Sequence, residues 1–193
     1  MNFRKYLPWI IIAVVILWMI SMYNGLVNTR ENVNGKWANV EAQYQRRADL
    51  VPNLVATVKG AADFEKSTLE AVISARANAT SIKIDPNDLT PEKLAEFQKA
   101  QAQLGGALGR LLAVAENYPQ LKAVGNFSEL QAQLEGTENR INEARRQYNE
   151  AAQAYNVSRQ NFPRNIFAGM FGFKEKPYFQ ADAGTEKAPQ VKF

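Results

Sequence analysis

The sequence predicts an all-α protein in which an N-terminal transmembrane helix is followed by an antiparallel up-and-down four-helix bundle. Three observations carry that expectation. An uninterrupted apolar run lies near the N-terminus, apolar residues recur at alternating spacings of three and four afterwards, and the period-2 alternation of half-buried strands is missing. Ala, Gln, Glu, Leu and Arg, all good helix formers, dominate after the run. Composition narrows function as well. The 193 residues include no Cys and no His, which removes disulfides, thiol nucleophiles, structural zinc and any catalysis that relies on imidazole. No cofactor and no enzymatic activity are expected. The 23 Lys and Arg exceed the 19 Asp and Glu by four, too small a surplus to suggest a nucleic-acid partner without a local cluster.

The first element is the anchor. After the short basic N-terminus, residues 1–6 with Arg4 and Lys5, the stretch Leu7 to Tyr23 (LPWIIIAVVILWMISMY) has no charged residue. Its length is about 25 Å, and continuation to Val27 brings it close to the roughly 30 Å of a hydrocarbon core. Trp9 and Tyr23 suit the two interfaces. A cleaved signal peptide is the other reading, but no A-x-A spacing of small residues follows the run. The positive-inside rule puts the N-terminus in the cytoplasm and the rest outside the inner membrane.

The bundle is expected over residues 24–161. Its first seam runs Leu26, Arg30, Val33, Trp37, Val40, Tyr44 and on through Val51, Leu54, Val58, Leu69 and Val72. Pro52 costs about 3 kcal/mol in a helix interior, so a break near Asp49 to Pro52 is expected, giving four helices of about 25, 29, 27 and 35 residues. Gly60 is the alternative break, and a kinked continuous helix the third possibility. Ala79 to Thr90 reads as a loop. The next helix opens at Thr90 as N-cap with Pro91 in first position, buries Leu94, Phe97, Gln101, Leu104, Leu108, Leu111, Ala115 and Tyr118, and closes at Pro119. The last opens with Asn126 and Glu129 as a capping box. Its coiled-coil seam is Leu130, Leu134, Thr137, Ile141, Ala144, Tyr148, Ala151, Tyr155, Ser158 and Phe162.

Four passes would return the chain to the bilayer, where an aromatic-rich segment, residues 162–180, begins. Residues 162–179 hold six of the chain's 20 aromatics (3 Trp, 7 Tyr, 10 Phe), a density that requires an apolar surface to cover it. Either the segment straps the bundle or it docks on lipid or a partner through Phe167, Met170, Phe171 and Phe173, with Lys174 and Lys176 near headgroups. Residues 181–193 read as a flexible tail. The basic pairs Arg46/Arg47 and Arg145/Arg146 fit a solvated face or a contact with anionic lipid or an acidic partner. Glu41, Glu65, Glu116 and Glu138 are the carboxylates that a bundle-core metal site would use, but that design also requires Glu-x-x-His. Asn53 and the heptad-spaced pairs Tyr148-Asn149 and Tyr155-Asn156 are expected to supply hydrogen bonds at the seam. Gly105, Gly106 and Gly109 lie in a helical pattern without the Lys of a phosphate loop, and suggest close helix approach.

Three blocks carry a family resemblance: YNGLVNTRENVNGKWANVEAQYQRRADLVPNLVATVKGAADFE (23–65), LGRLLAVAENYPQLKAVGNFSELQAQLEGTENRINEARRQYNEAAQAYN (108–156) and FPRNIFAGMFGFKEKPYFQ (162–180). In content and order they resemble the LemA family of bacterial membrane proteins. The resemblance implies a single-pass cell-envelope protein with an antiparallel four-helix bundle and no established catalytic activity. It also implies companionship with membrane proteins and proteolytic quality control, with relatives that take part in building magnetosome membranes, and an N-terminus outside the cell, opposite to the charge argument. Ala62 and Phe64 stand where the family commonly has Tyr and His. The expected function is a membrane-tethered scaffold or adaptor, with membrane remodelling by an assembly of copies as the alternative.

Overall fold

The computed structural model describes residues 3–60, 65–122 and 125–180. The chain is all-helical: α1 (Phe3–Lys59), α2 (Lys66–Ser81), α3 (Pro91–Ala115), α4 (Pro119–Lys122), α5 (Gly125–Gln160) and α6 (Arg164–Met170), with a 3-10 turn at Pro86–Asp88. Among the described residues there is no strand. The expected tail, 181–193, and the departures at Ala62 and Phe64 lie outside the described residues.

α1 has 57 residues, about 86 Å of continuous helix. Its apolar first part is long and apolar enough to cross a membrane and stands exposed, with Trp9 at 71% and Leu17 at 67%. One turn after Tyr23 the same helix enters the core: Leu26, Val33, Trp37, Val40, Tyr44, Val51, Leu54 and Val58 are all buried. Anchor and core therefore share one continuous helix.

The break expected near Asp49 to Pro52 does not occur, because the group Pro52 orphans finds another donor. Proline has no N–H for the carbonyl of Ala48 four residues back, and Arg76 of α2 donates Nε to that oxygen at 2.8 Å. Val51 and Leu54 on either side are buried. The helix ends at Lys59, before Gly60, the alternative break point. The legs are consequently unequal. α2 has only 16 residues, and the chain continues from it without α-helix through the 3-10 turn, burying Ile84 and Leu89 before α3 begins.

α1 packs along α5, and α2 packs on α3 and α1. Lys36 Nζ donates to Gln147 Oε1 at 3.0 Å and Arg47 Nη1 to Glu138 Oε2 at 2.9 Å, so α1 and α5 run antiparallel. One core cluster surrounds Trp37, Tyr148 and Tyr155, and a second surrounds Leu54, Leu104, Leu111 and Leu134. Thr90 caps α3 as its sequence suggests, Oγ1 accepting from Lys93 N at 3.3 Å with Pro91 in the first turn. Asn126 is no N-cap, since α5 already starts at Gly125. Most of the seam of α5 is buried, but Phe162 is 81% exposed because the helix stops at Gln160. The close helix approach expected at the glycines is not made. A Cβ at Gly106 or Gly109 would meet nothing within 4 Å, and one at Gly105 only the Arg47 guanidinium at 3.6 Å.

Candidate functional site

Beyond α5 the chain turns at Asn161 to Pro163, where the Phe162–Pro163 peptide is cis, and α6 lies down beside the anchor. Phe167 meets Trp18 edge-on at 6.2 Å, and Tyr23 meets Phe171 at 5.1 Å and Phe173 at 5.7 Å. Trp18 lies five residues inside the end of the apolar run, about 7.5 Å along the helix, so α6 sits at the depth of the run's last turns. The helix is two-faced: Phe167 and Ala168 are buried, whereas Met170 (71%), Phe171 (54%) and Ile166 (52%) are exposed. An apolar cleft of about 340 Å³ opens between Ile16, Met19, Ile20 and Tyr23 on one side and Phe167 and Phe171 on the other.

Gly172, with φ of 71°, ends α6 in a left-handed turn that redirects the chain away from the anchor; Phe173 N donates to Ala168 O at 2.9 Å. Residues 173–180 then follow α5 backwards. Arg159 Nε donates to Phe173 O (2.9 Å), Tyr155 Oη to Lys174 O (2.8 Å), and Tyr148 Oη to Pro177 O (3.0 Å). Asn156 pairs with both backbone groups of Lys176, Nδ2 donating to O at 2.8 Å and Oδ1 accepting from N at 3.0 Å. Asn149 repeats this with Phe179 at 3.0 and 2.9 Å, and Arg145 Nη2 donates to Gln180 O at 2.8 Å. From Arg159 to Arg145 is about 21 Å of helix, matched by seven strap residues at about 3 Å each, an extended chain. Phe179 stacks on Trp37 at 5.9 Å, which ties the strap to the core.

The residues expected to contact lipid or a partner therefore divide. Met170 and Phe171 are exposed at the depth of the apolar run, Phe167 is buried between α6 and the anchor, and Phe173 is buried in the core cluster under the Arg30 guanidinium at 5.3 Å. Lys174 is exposed, 3.9 Å from Asp88. Lys176 is buried, its amine donating to Pro86 O, and burial pushes its pKa down. Arg46 is exposed. Arg47 is buried rather than solvated, held by Glu138 and by the carbonyl and side-chain oxygens of Gln101 at 2.9 and 3.0 Å. Arg145 holds the strap and Arg146 bridges Glu143 and Glu150 on the surface, drawing the Glu143 carboxyl down to about 2.

Asn53 is exposed. The Tyr-Asn pairs do not bond across the seam as expected; they grip the strap, a role their heptad spacing signalled without naming the partner. Residues not singled out from sequence are Arg159 and Arg164, the latter donating to Ser158 Oγ at 2.8 Å with its guanidinium beside Gly25, close above the cleft. The four carboxylates do not converge. Glu138 engages Arg47, Glu65 accepts from Ser67 and Thr68, and burial raises the Glu41 pKa. Among the described residues no three acidic side chains lie close enough to hold a metal.

The family model described as the LemA family matches residues 36–193, which include the C-terminal part of α1 from residue 36 on, α2 to α6 and the strap. The chain belongs to the LemA family. It is similar to magnetosome protein MamQ 1 of Paramagnetospirillum magneticum, 31% identical over an alignment of 179 positions that covers 84% of this chain and 66% of that protein. MamQ of Magnetospirillum gryphiswaldense is 28% identical over 83% of this chain and 65% of its own length. Protein LemA of Metamycoplasma hominis is 23% identical over 84% and 70%. The chain spans about two thirds of the length of the MamQ proteins it matches.

Proposed function

We propose that this LemA-family chain is a single-pass, non-enzymatic membrane scaffold or adaptor. Its antiparallel bundle of four legs, residues 24–161, is held at a fixed height by two membrane contacts, the span at 7–23 and the α6 foot. The contact of Phe167 with Trp18 carries this reading, because it sets an exposed apolar face at the depth where the anchor meets hydrocarbon. Met170, Phe171 and Ile166 then face lipid or an intramembrane partner, with Arg159 and Arg164 near the headgroups. Membrane shaping is the second reading, favoured by the one-sided foot, which widens the protein within one leaflet and fits relatives named as magnetosome proteins.

The chain's lack of Cys permits a direct test. Full-length Met170→Cys and Ser128→Cys proteins, labelled with an environment-sensitive dye and reconstituted in vesicles, should differ at least fivefold in quenching by a lipid-borne quencher. Equal quenching would refute the foot. Photo-crosslinking from position 170 in native membranes then separates the readings, since a scaffold captures a protein and a membrane-shaping wedge captures lipid.

A further inference from the structure

The two stretches of chain that meet beside the anchor carry charge of one sign only. From Tyr6 to Arg30 and from Ala151 to Lys174 there are Arg30, Arg159, Arg164 and Lys174 and no Asp or Glu. Arg30 reaches Glu31 and Lys174 reaches Asp88, acids that lie outside both stretches. Arg159 and Arg164 are partly buried, and their bonds go to neutral groups, Phe173 O at 2.9 Å and Ser158 Oγ at 2.8 Å. Among the described residues neither has a carboxylate partner, whereas Arg146 on the outer face of α5 has two. A guanidinium partly withdrawn from water without a counter-ion is a seat for an anion.

On the N-terminal side of Gly25, which the Arg164 guanidinium flanks, lies the apolar cleft of about 340 Å³ between anchor and α6. Its α1 wall runs from Ile16 to Tyr23, about 10.5 Å of helix, and Gly25 is about 3 Å further on. That total approaches the roughly 15 Å that one leaflet contributes to a 30 Å hydrocarbon core. On α6, Arg164, Phe167 and Phe171 stand at i, i+3 and i+7, so the guanidinium shares a helix face with the two rings that wall the cleft.

We propose that cleft and guanidinium together bind one anionic phospholipid, an acyl chain lying between Ile16, Ile20 and Phe171 and the phosphate on Arg164, with Arg159 adding charge. The proposal rests on the reading of α6 as a membrane foot and adds selection to it. A surface that only sits in lipid takes any acyl chain; this one also takes a headgroup of net negative charge. The planar fork of Arg164 matches two phosphate oxygens, and its bond to buried Ser158 fixes its direction. A zwitterionic lipid brings its own ammonium beside the phosphate, which competes with the guanidinium for it.

The test is native mass spectrometry of the full-length protein released from detergent micelles that hold equal amounts of phosphatidylglycerol and phosphatidylcholine. One phosphatidylglycerol per chain should be retained, at least fivefold over phosphatidylcholine. Loading in about 0.5 M salt should leave that ratio within twofold, because only a diffuse attraction is screened away. Arg164→Gln should remove the preference and Arg164→Lys should keep most of it, with both melts unchanged. Ile20→Trp, which fills the cleft from an exposed position, should lower retention of both lipids at least fivefold. Equal retention of the two lipids, a preference that survives Arg164→Gln, or retention indifferent to Ile20→Trp would each overturn the site. If the lipid-borne quencher still reaches Met170→Cys when one of these results is found, the foot stands and its selectivity falls; if it does not, both fall.

Discussion

Asn156 shows how one side chain can hold a segment in place. Its amide is 3% exposed and satisfies both the N–H and the C=O of Lys176, backbone groups that have no strand partner. Asn156→Ala leaves both buried and unpaired, at about 2 to 4 kcal/mol. A melt of the full-length protein in detergent should show that loss, and Asn53→Ala on the exposed side of α1 should stay within about 0.5 kcal/mol. Tyr148, fully buried with its hydroxyl on Pro177 O, has its pKa raised by desolvation above the ordinary 10.0. The folded state therefore keeps the phenolic proton where the unfolded chain has lost it. The stabilisation is complete below pH 10 and declines as pH rises beyond it. Tyr148→Phe should flatten the decline of melting temperature above pH 10, and the tyrosinate absorbance of the wild-type should rise with unfolding rather than before it.

At the scale of elements, Pro52 separates what was legible in the sequence from what was not. Helix identity and core phase could be read: Leu94, Phe97, Leu104, Leu108 and Leu111 lie on the buried face of α3, and Ile141, Tyr148 and Tyr155 on that of α5, because the three-four spacing is local. The continuity of α1 could not, because the group that compensates Pro52 is Arg76, 28 residues from Ala48 in sequence. A strap was one of the two readings the aromatic density allowed, but its course along α5 was illegible for the same reason, since its backbone partners are side chains 14 to 35 residues away, and the Tyr-Asn pairs that hold it read only as hydrogen bonds at the seam. This yields a double-mutant test. Arg76→Met should cost about 1 to 3 kcal/mol by orphaning the Ala48 carbonyl, and less than about 0.5 kcal/mol once Pro52→Ala has restored its helical donor. Equal costs in both backgrounds would mean that Arg76 does not support the helix through that carbonyl.

For the whole molecule, the consequence of an unbroken α1 is mechanical. Anchor and core share one helix, α6 braces that helix at the level of Trp18 to Tyr23, and the strap fastens the brace to α5. A freely hinged domain could sample many heights and tilts over the bilayer; under the proposed function this one is fixed at two points, the span and the α6 foot, which suits a surface that presents partners at a set distance. The apolar residues after α5 therefore act in two ways that substitution can separate. Phe173→Ser removes a side chain buried under Arg30, and should cost about 2 to 4 kcal/mol of stability in detergent by opening the core cluster. Ile166→Ser, Met170→Ser and Phe171→Ser together touch exposed side chains, and should leave the detergent melt within about 1 kcal/mol while lowering capture of membrane partners, or crosslinking to lipid, at least fivefold. If the exposed triple variant unfolds as readily as Phe173→Ser, α6 belongs to the fold and the height of the domain is set by the anchor alone; an unchanged melt with reduced capture means that the brace is also the working surface.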